Sequence, residues 1–453
     1  MVREGRCMQR AGAWTAVWAP ISLAMTGAIL EADGHTVKLV DCIVENIDDS
    51  ALRKISADFR PDLALINTAT PSIEHDLASA GIIKRGAPGA KTVAFGIHVT
   101  ALTEDSLRIG PHVDALLRGE PETAMRDLVR NGIEFRGIPG FSWRDGETII
   151  HEPERAPVAD LEDLPPPAWR LVDRKRYIMP FTDRQFLLVA TGRGCPYPCS
   201  FCADTAFYGR KLRLRDPESV AHEMEEVGRR FGVRDFLFWS ESFTLNREYA
   251  LSVTDHIRRR GLDVSWVANS RVDHVDPELL RAMKDAGCWV IGYGVEAGSD
   301  SALSRMRKGV NTGQTRLAIE RTIAAGISAV AHCVLGYPGE TEEDLMATIR
   351  FVKSLPLDFA QFYCAVPFPG SALYEEARLN GWINTTDWAR FEQNYSVLDT
   401  PWLAAQRVME LRNLAFREFY LRPLAVKRAL AHIRGIRVAL NMAKMLYDFW
   451  GWI

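Results

Sequence analysis

Short aliphatic or β-branched runs alternate with helical patterns along the first third of the chain. Val37–Val40, Leu63–Ile66, Thr92–Phe95 and Ala115–Leu117 read as strands. Such alternation predicts a parallel sheet covered by helices on both faces. The first convincing element is a helix near Pro20, so the sheet is expected to lack the strand with which a doubly wound unit normally opens. The uncharged stretch Ala11–Leu30 reads as part of a soluble helical unit and not as a signal peptide or membrane span. Pro20, Gly27, Thr15, Ser22 and Thr26 interrupt it, and Glu31, Asp33 and Gly34 supply a helix end and a turn.

From about Gly137 to Arg184 the periodicity fails. Trp143–Ile150 reads as a hairpin around Asp145-Gly146, and Pro165-Pro166-Pro167 as a stiff connector. Beyond Gln185 strands are predicted near Phe186–Ala190, Asp235–Trp239, Ser265–Ala268, Trp289–Tyr293, Ala329–Leu335 and Phe359–Ala365. Helices are predicted to begin near Pro217, Leu245, Pro277, Ser299 with Thr312, and Thr341. Six βα repeats in about 180 residues suit a partial barrel rather than an eightfold one of ~250 residues. The expected class is α/β. A doubly wound, Rossmann-like domain (1–145) and a linker (146–184) lead to a partial (β/α)6 TIM-like barrel (185–380) and a helical C-terminal extension (381–453).

Composition narrows the function. With 47% hydrophobic residues and a net charge of -3, the chain lacks the basic bias of a nucleic-acid binder, and no nucleic acid partner is expected. Eight cysteines in 453 residues are too sparse for a disulfide scaffold. Three of them crowd into Thr191-Gly-Arg-Gly-Cys195-Pro-Tyr-Pro-Cys199-Ser-Phe-Cys202, just after the first barrel strand, which favours a metal site in a reducing cytoplasm. Three thiolates can bind three irons of a cubane cluster and leave the fourth open. A structural zinc ion normally takes four protein ligands, and no second CxxC or close CxxxH lies nearby.

This loop resembles the CxxxCxxC hallmark of the radical S-adenosylmethionine (SAM) superfamily in position, in spacing and in the aromatic Phe201 before the last cysteine. The resemblance implies that Cys195, Cys199 and Cys202 hold a 4Fe–4S cluster whose open iron chelates SAM. An electron from the cluster would then cleave the cofactor to a 5′-deoxyadenosyl radical. It also implies SAM contacts at barrel strand ends: Glu241 after the second strand, and Asn269 and Arg271 after the third. Gly294, Glu296, Gly298 and Ser299 would follow at the fourth strand, and Leu335 and Gly336 in Val334-Leu-Gly-Tyr-Pro-Gly-Glu-Thr341 would border adenine. Of the remaining cysteines, Cys364 at the end of the last strand is the weak catalytic candidate. Tyr293, Tyr337, Tyr363 and Phe368 are candidate pocket or core aromatics.

The N-terminal third resembles the cobalamin-binding domain fused ahead of many such enzymes. The resemblance rests on Pro20-Ile-Ser-Leu-Ala, the Gly34-His35 turn leading to Asp41, Thr68-Ala-Thr70-Pro-Ser72, Gly96-Ile-His98-Val-Thr100 and Arg118-Gly119-Glu120-Pro-Glu122. Each cluster sits at a predicted strand end, where open α/β sheets bind ligands. It implies cobalamin contacts from Thr68, Thr70, Ser72, Gly96, Gly119 and Glu120. The DxHxxG motif is absent, so neither His35 nor His98 is assigned as a cobalt ligand.

Between Pro401 and Ile453 the basic residues Arg407, Arg412, Arg417, Arg422, Lys427, Arg428, Arg434, Arg437 and Lys444 outnumber Glu410, Glu418 and Asp448, and Trp450 and Trp452 follow. Two readings stand: a helical cap on the barrel, or peripheral membrane contact. The leading functional expectation is cobalamin-dependent C-methylation of an unactivated carbon on a small-molecule or lipid substrate, with flavodoxin or ferredoxin as electron donor. The alternatives are radical cyclisation or other skeletal change in a lipid or tetrapyrrole, and a non-catalytic iron-sulfur or corrinoid sensor.

Overall fold

The structure is a computed structural model that describes residues 17–179 and 184–423. Its first sheet has five strands in sequential order: β1 (Leu63–Asn67), β2 (Lys91–Phe95), β3 (Ala115–Leu117), β4 (Phe141–Asp145) and β5 (Thr148–His151). The first three are parallel; β4 and β5 join them as an antiparallel hairpin. This sheet therefore runs past the boundary expected at residue 145, because the turn at Gly146, φ +63°, folds β5 back onto β4.

Val37–Val40, expected to be a strand, form none. An apolar run specifies burial, but a strand also needs a hydrogen-bonding neighbour; among the described residues, β1 is the edge of this sheet. The helix Ile21–Ala32 begins one residue after Pro20, as the proline signal predicts. Its Ile21, Ala24, Met25 and Ile29 bury into the same hydrophobic core as the second sheet.

The second sheet is formed by β6 (Phe186–Ala190), β9 (Asp235–Trp239), β10 (Ser265–Ser270), β11 (Cys288–Glu296), β12 (Ser328–Leu335) and β13 (Phe359–Cys364). All six are parallel and each lies beside its predecessor. The helices after them start at strong signals. Asp216 and Asp276 cap helices whose next residue is proline, and Asn311 and Thr341 form capping boxes.

Between β6 and β9 the two-residue strands β7 (Gly192–Arg193) and β8 (Arg213–Leu214) pair antiparallel and pinch the base of the cysteine loop. A helix at Ala405–Tyr420 closes the far edge, setting Phe416 edge to face with Phe362 at 5.2 Å between ring centroids. Among the described residues no helix is long and apolar enough to cross a membrane.

Candidate functional site

Parallel strands deliver their following loops to one end of a sheet, so the sites predicted at strand ends converge. A cavity of about 260 Å³ opens there. Its wall holds Cys195, Cys199 and Cys202, and also Glu241, Asn269, Arg271, Gly294 and Glu296 from the ends of β9, β10 and β11. The N-terminal unit contributes Trp18, Thr70 and Ile97 to the same wall.

The cysteine loop is held by close backbone packing. Gly194 has φ +87°, and a Cβ there would lie 2.2 Å from the carbonyl oxygen of Lys211, so only glycine fits. Burial pushes the Cys199 thiol up, while Lys308 and Arg271 pull it back toward the thiolate that an iron ligand must be. Among the described residues no three His, Cys, Asp or Glu side chains are grouped to hold a single metal ion. All three cysteines lie on one cavity wall, and three thiolates can bind three irons of a cubane and leave the fourth open.

Around the cysteines the charges are paired. The guanidinium of Arg271 lies 3.5 Å over the Tyr197 ring and donates to both carboxylate oxygens of Asp273 at 2.9 and 3.0 Å. Glu296 accepts from Lys308 Nζ at 2.6 Å. A register shift in β11 between Gly294 and Glu296 leaves Glu296 at φ +60°, a strained conformation for a side-chain-bearing residue, and turns it toward the cavity. Gly294 is what admits this pair, since a Cβ there would lie 2.3 Å from Glu296 Oε1.

The other residues predicted to contact SAM or cobalamin lie off the cavity wall. A Cβ on Gly298 would stand 2.4 Å from Thr348 Cα, and one on Gly336 2.7 Å from Val408, so both positions are small for helix packing. Ser299 caps the helix Asp300–Arg305, and Leu335 is core. In the first unit Thr68 Oγ1 donates to Phe95 O at 2.9 Å, and Gly96 packs on the backbone of Thr68. Ser72 donates to Asp76, and Gly119 N to Thr100 Oγ1.

Glu120 is engaged elsewhere. With Glu122 it forms a buried ion cluster with Arg213 and Arg193, which arise from the base of the cysteine loop. Cys364 lines the cavity but turns its sulfur to Met409 Sδ at 3.6 Å, and burial pushes its thiol up to about 11. Tyr363 and Phe368 line the cavity, whereas Tyr293 and Tyr337 bond to Thr322 and Ser200 within the core.

His35 is exposed in its turn. His98 is fully buried with neither ring nitrogen hydrogen-bonded, edge-on to Trp388 at 4.6 Å, and burial pulls its pKa down to about 3. It is therefore a neutral imidazole. Residues that no motif signalled also reach the cavity: Lys308, His332, Gln361 and Gln393.

Comparison with known proteins bears on this geometry. Residues 189–352 match the Radical SAM superfamily, and residues 12–129 match the B12 binding domain. The chain is 31% identical over 407 residues to an uncharacterized methyltransferase of Pyrococcus horikoshii, covering 89% of this chain and 88% of that protein. The chain belongs to the radical SAM superfamily. It is also 27% identical to the anaerobic magnesium-protoporphyrin IX monomethyl ester cyclase of Cereibacter sphaeroides, over 93% of this chain and 69% of that one. The solved structure of the radical S-adenosylmethionine methyltransferase TsrM from Kitasatospora setae shares the fold, with a TM-score of 0.72 at 18% identity, covering 91% of this chain and 88% of that one.

As a radical SAM enzyme with a B12-binding domain, the protein uses a 4Fe–4S cluster, SAM and cobalamin, with a small-molecule substrate and a reductant.

Proposed function

We propose that this protein is a cobalamin-dependent radical SAM methyltransferase that transfers a methyl group to an unactivated carbon. The observation that carries the reading is one shared cavity: the cysteine loop, the barrel's strand ends and the B12 domain's Thr70 and Ile97 all line it. When bound, the cluster, SAM and cobalamin supply the electron, the 5′-deoxyadenosyl radical and the methyl group. In this reading Cys195, Cys199 and Cys202 are the iron ligands, and the cations of Lys308 and Arg271 stabilise the thiolate charge of Cys199. Glu241, Asn269, Arg271 and Glu296 orient SAM. Trp18 and Trp239, edge to face at 5.4 Å, help to close the cavity against water.

An external one-electron donor of flavodoxin or ferredoxin type and a reducing cytoplasm complete the proposal. Arg407, Arg412 and Arg422 are engaged within the fold, with Glu342, Phe362 O and the carbonyls of Lys353, Leu355 and Leu357. That engagement favours the reading of the tail as a cap on the barrel; Lys427 to Lys444, on which peripheral membrane contact would have to rest, lie outside the described residues.

The test is product analysis with the anaerobically reconstituted, reduced protein. Methyl transfer requires both 5′-deoxyadenosine and S-adenosylhomocysteine. The former without the latter, with corrinoid bound, would move the assignment to cyclisation; neither would sink it.

A further inference from the structure

The interior of a parallel barrel is ordinarily filled by branched aliphatic side chains. One layer of this barrel is polar instead. His332 on β12 is in register with Gln361 on β13 and with Gly294 on β11, and Asn269 on β10 is in register with Gly292. A Cβ on Gly292 would strike Asn269 Oδ1 at 2.6 Å and His332 Nε2 at 2.9 Å. Glycine at 292 thus leaves a gap in β11 across which an amide and an imidazole face each other. Gln393 adds a second glutamine, from a loop whose carbonyl oxygen accepts from Cys364 N at 2.9 Å. All of these side chains line the cavity.

His332 is fixed, its Nδ1 2.9 Å from the Tyr363 hydroxyl and its ring stacked on that of Tyr363. The two glutamine oxygens have no such partner. Gln361 is only 2% exposed, and Oε1 of Gln361 and of Gln393 are both buried with no hydrogen-bond partner. A buried amide oxygen that has lost water and gained no donor is destabilising, so its retention calls for a bound partner. The cations of the cavity do not supply one: Arg271 is held by Asp273 and Lys308 by Glu296.

We propose that Gln361 and Gln393 form the polar end of the substrate subsite and recognise a neutral N–H/C=O edge, such as a carboxamide or lactam. The apolar body of the substrate rests against Val330, Val334 and Phe368. A carboxylate is disfavoured there because both lining cations are already paired. The segment after β13 packs against the cysteine loop, with Leu373 N donating to Ser200 O at 2.8 Å and Val366 and Phe368 clustered with Ala203, so this subsite and the cysteines share one cavity. The assignment rests on the radical SAM reading and adds the chemical class of its substrate.

The experiment uses protein reconstituted anaerobically with iron, sulfide, SAM and hydroxocobalamin. Equilibrium dialysis compares three probes of one ring system: 2-naphthamide, 2-naphthoate and 2-acetonaphthone. The amide is expected to bind roughly tenfold more tightly than either of the others. Gln361→Leu should abolish that preference, keep the change that SAM induces in the cluster's EPR signal, and melt no lower than the parent.

Equal binding of the three probes, no binding of 2-naphthamide, or an unchanged preference in the variant overturns the proposal. So does a variant that melts lower, which would make Gln361 a packing residue, or one that loses the SAM response, which would give the amide to the cofactor. A parent protein whose cluster ignores SAM would instead refute the radical reading, whatever the probes do.

Discussion

Arg193, two residues ahead of Cys195, donates to both carboxylate oxygens of Glu122, at 2.5 and 3.2 Å, with both side chains buried. Glu122 lies at the start of the helix Glu122–Arg130 in the B12 domain. The alignment of the cysteine loop is therefore tied to the docking of that domain. Removing one member of a buried pair leaves the other charge unpaired, which costs about 3–5 kcal/mol. Glu122→Ala is expected near the lower end, because Glu120 stays 3.4 Å from Arg193. Urea unfolding gives the stability, and iron content after reconstitution reports whether the loop has lost its alignment.

Gly298 offers a test of packing against cofactor approach. With Thr348 Cα 2.4 Å from the site of a Cβ, Gly298→Ala should force the helix Glu342–Ser354 away from the end of β11. The expected loss is about 1–3 kcal/mol, the range for overpacking. A Gly298→Ala protein as stable as the parent but weakened in SAM binding, measured by dialysis, would restore the role implied by resemblance.

Glu340 supplies a pH signature. Its Oε2 accepts from Tyr337 N at 2.8 Å, its Oε1 has no partner, and burial beside Asp344 raises its pKa to about 8 despite Arg305. Its folded pKa exceeds the unfolded one, so the native state holds the extra proton and stability falls as pH rises from about 4.5 to about 8. Glu340→Gln removes this contribution. The variant should gain on the parent progressively across that window, read as denaturation midpoints at pH 5, 7 and 9.

Cys364 is expected to be dispensable for radical generation. Its sulfur packs on Met409 and its thiol stays protonated at neutral pH. Cys364→Ala should leave 5′-deoxyadenosine formation within about twofold of the parent and cost roughly 1 kcal/mol of stability.

What the sequence disclosed follows from range. The six barrel strands are legible because strands buried on both faces give continuous apolar runs, such as Phe186–Ala190. Their helices announce themselves through local caps such as Asp216-Pro217. The cysteine loop is legible because its spacing is local too. The Glu120–Arg213 and Glu122–Arg193 contacts were not, since their partners lie 93 and 71 residues apart and no pattern joins them. Gln361 did leave a trace, as the one amide in the otherwise apolar or aromatic run Phe359–Cys364.

The helix Ile21–Ala32 completes its burial only in the core of the second sheet, which also holds Leu161, Trp169 and Tyr177 from the connecting segment. On the ribosome this helix would emerge well before the strands that shelter it, and would carry its apolar face uncovered while they are made. The two halves are consequently poor candidates for separate expression. A fragment ending near Pro167 should be recovered largely in inclusion bodies, and supplying the remaining chain in trans should rescue it only in part.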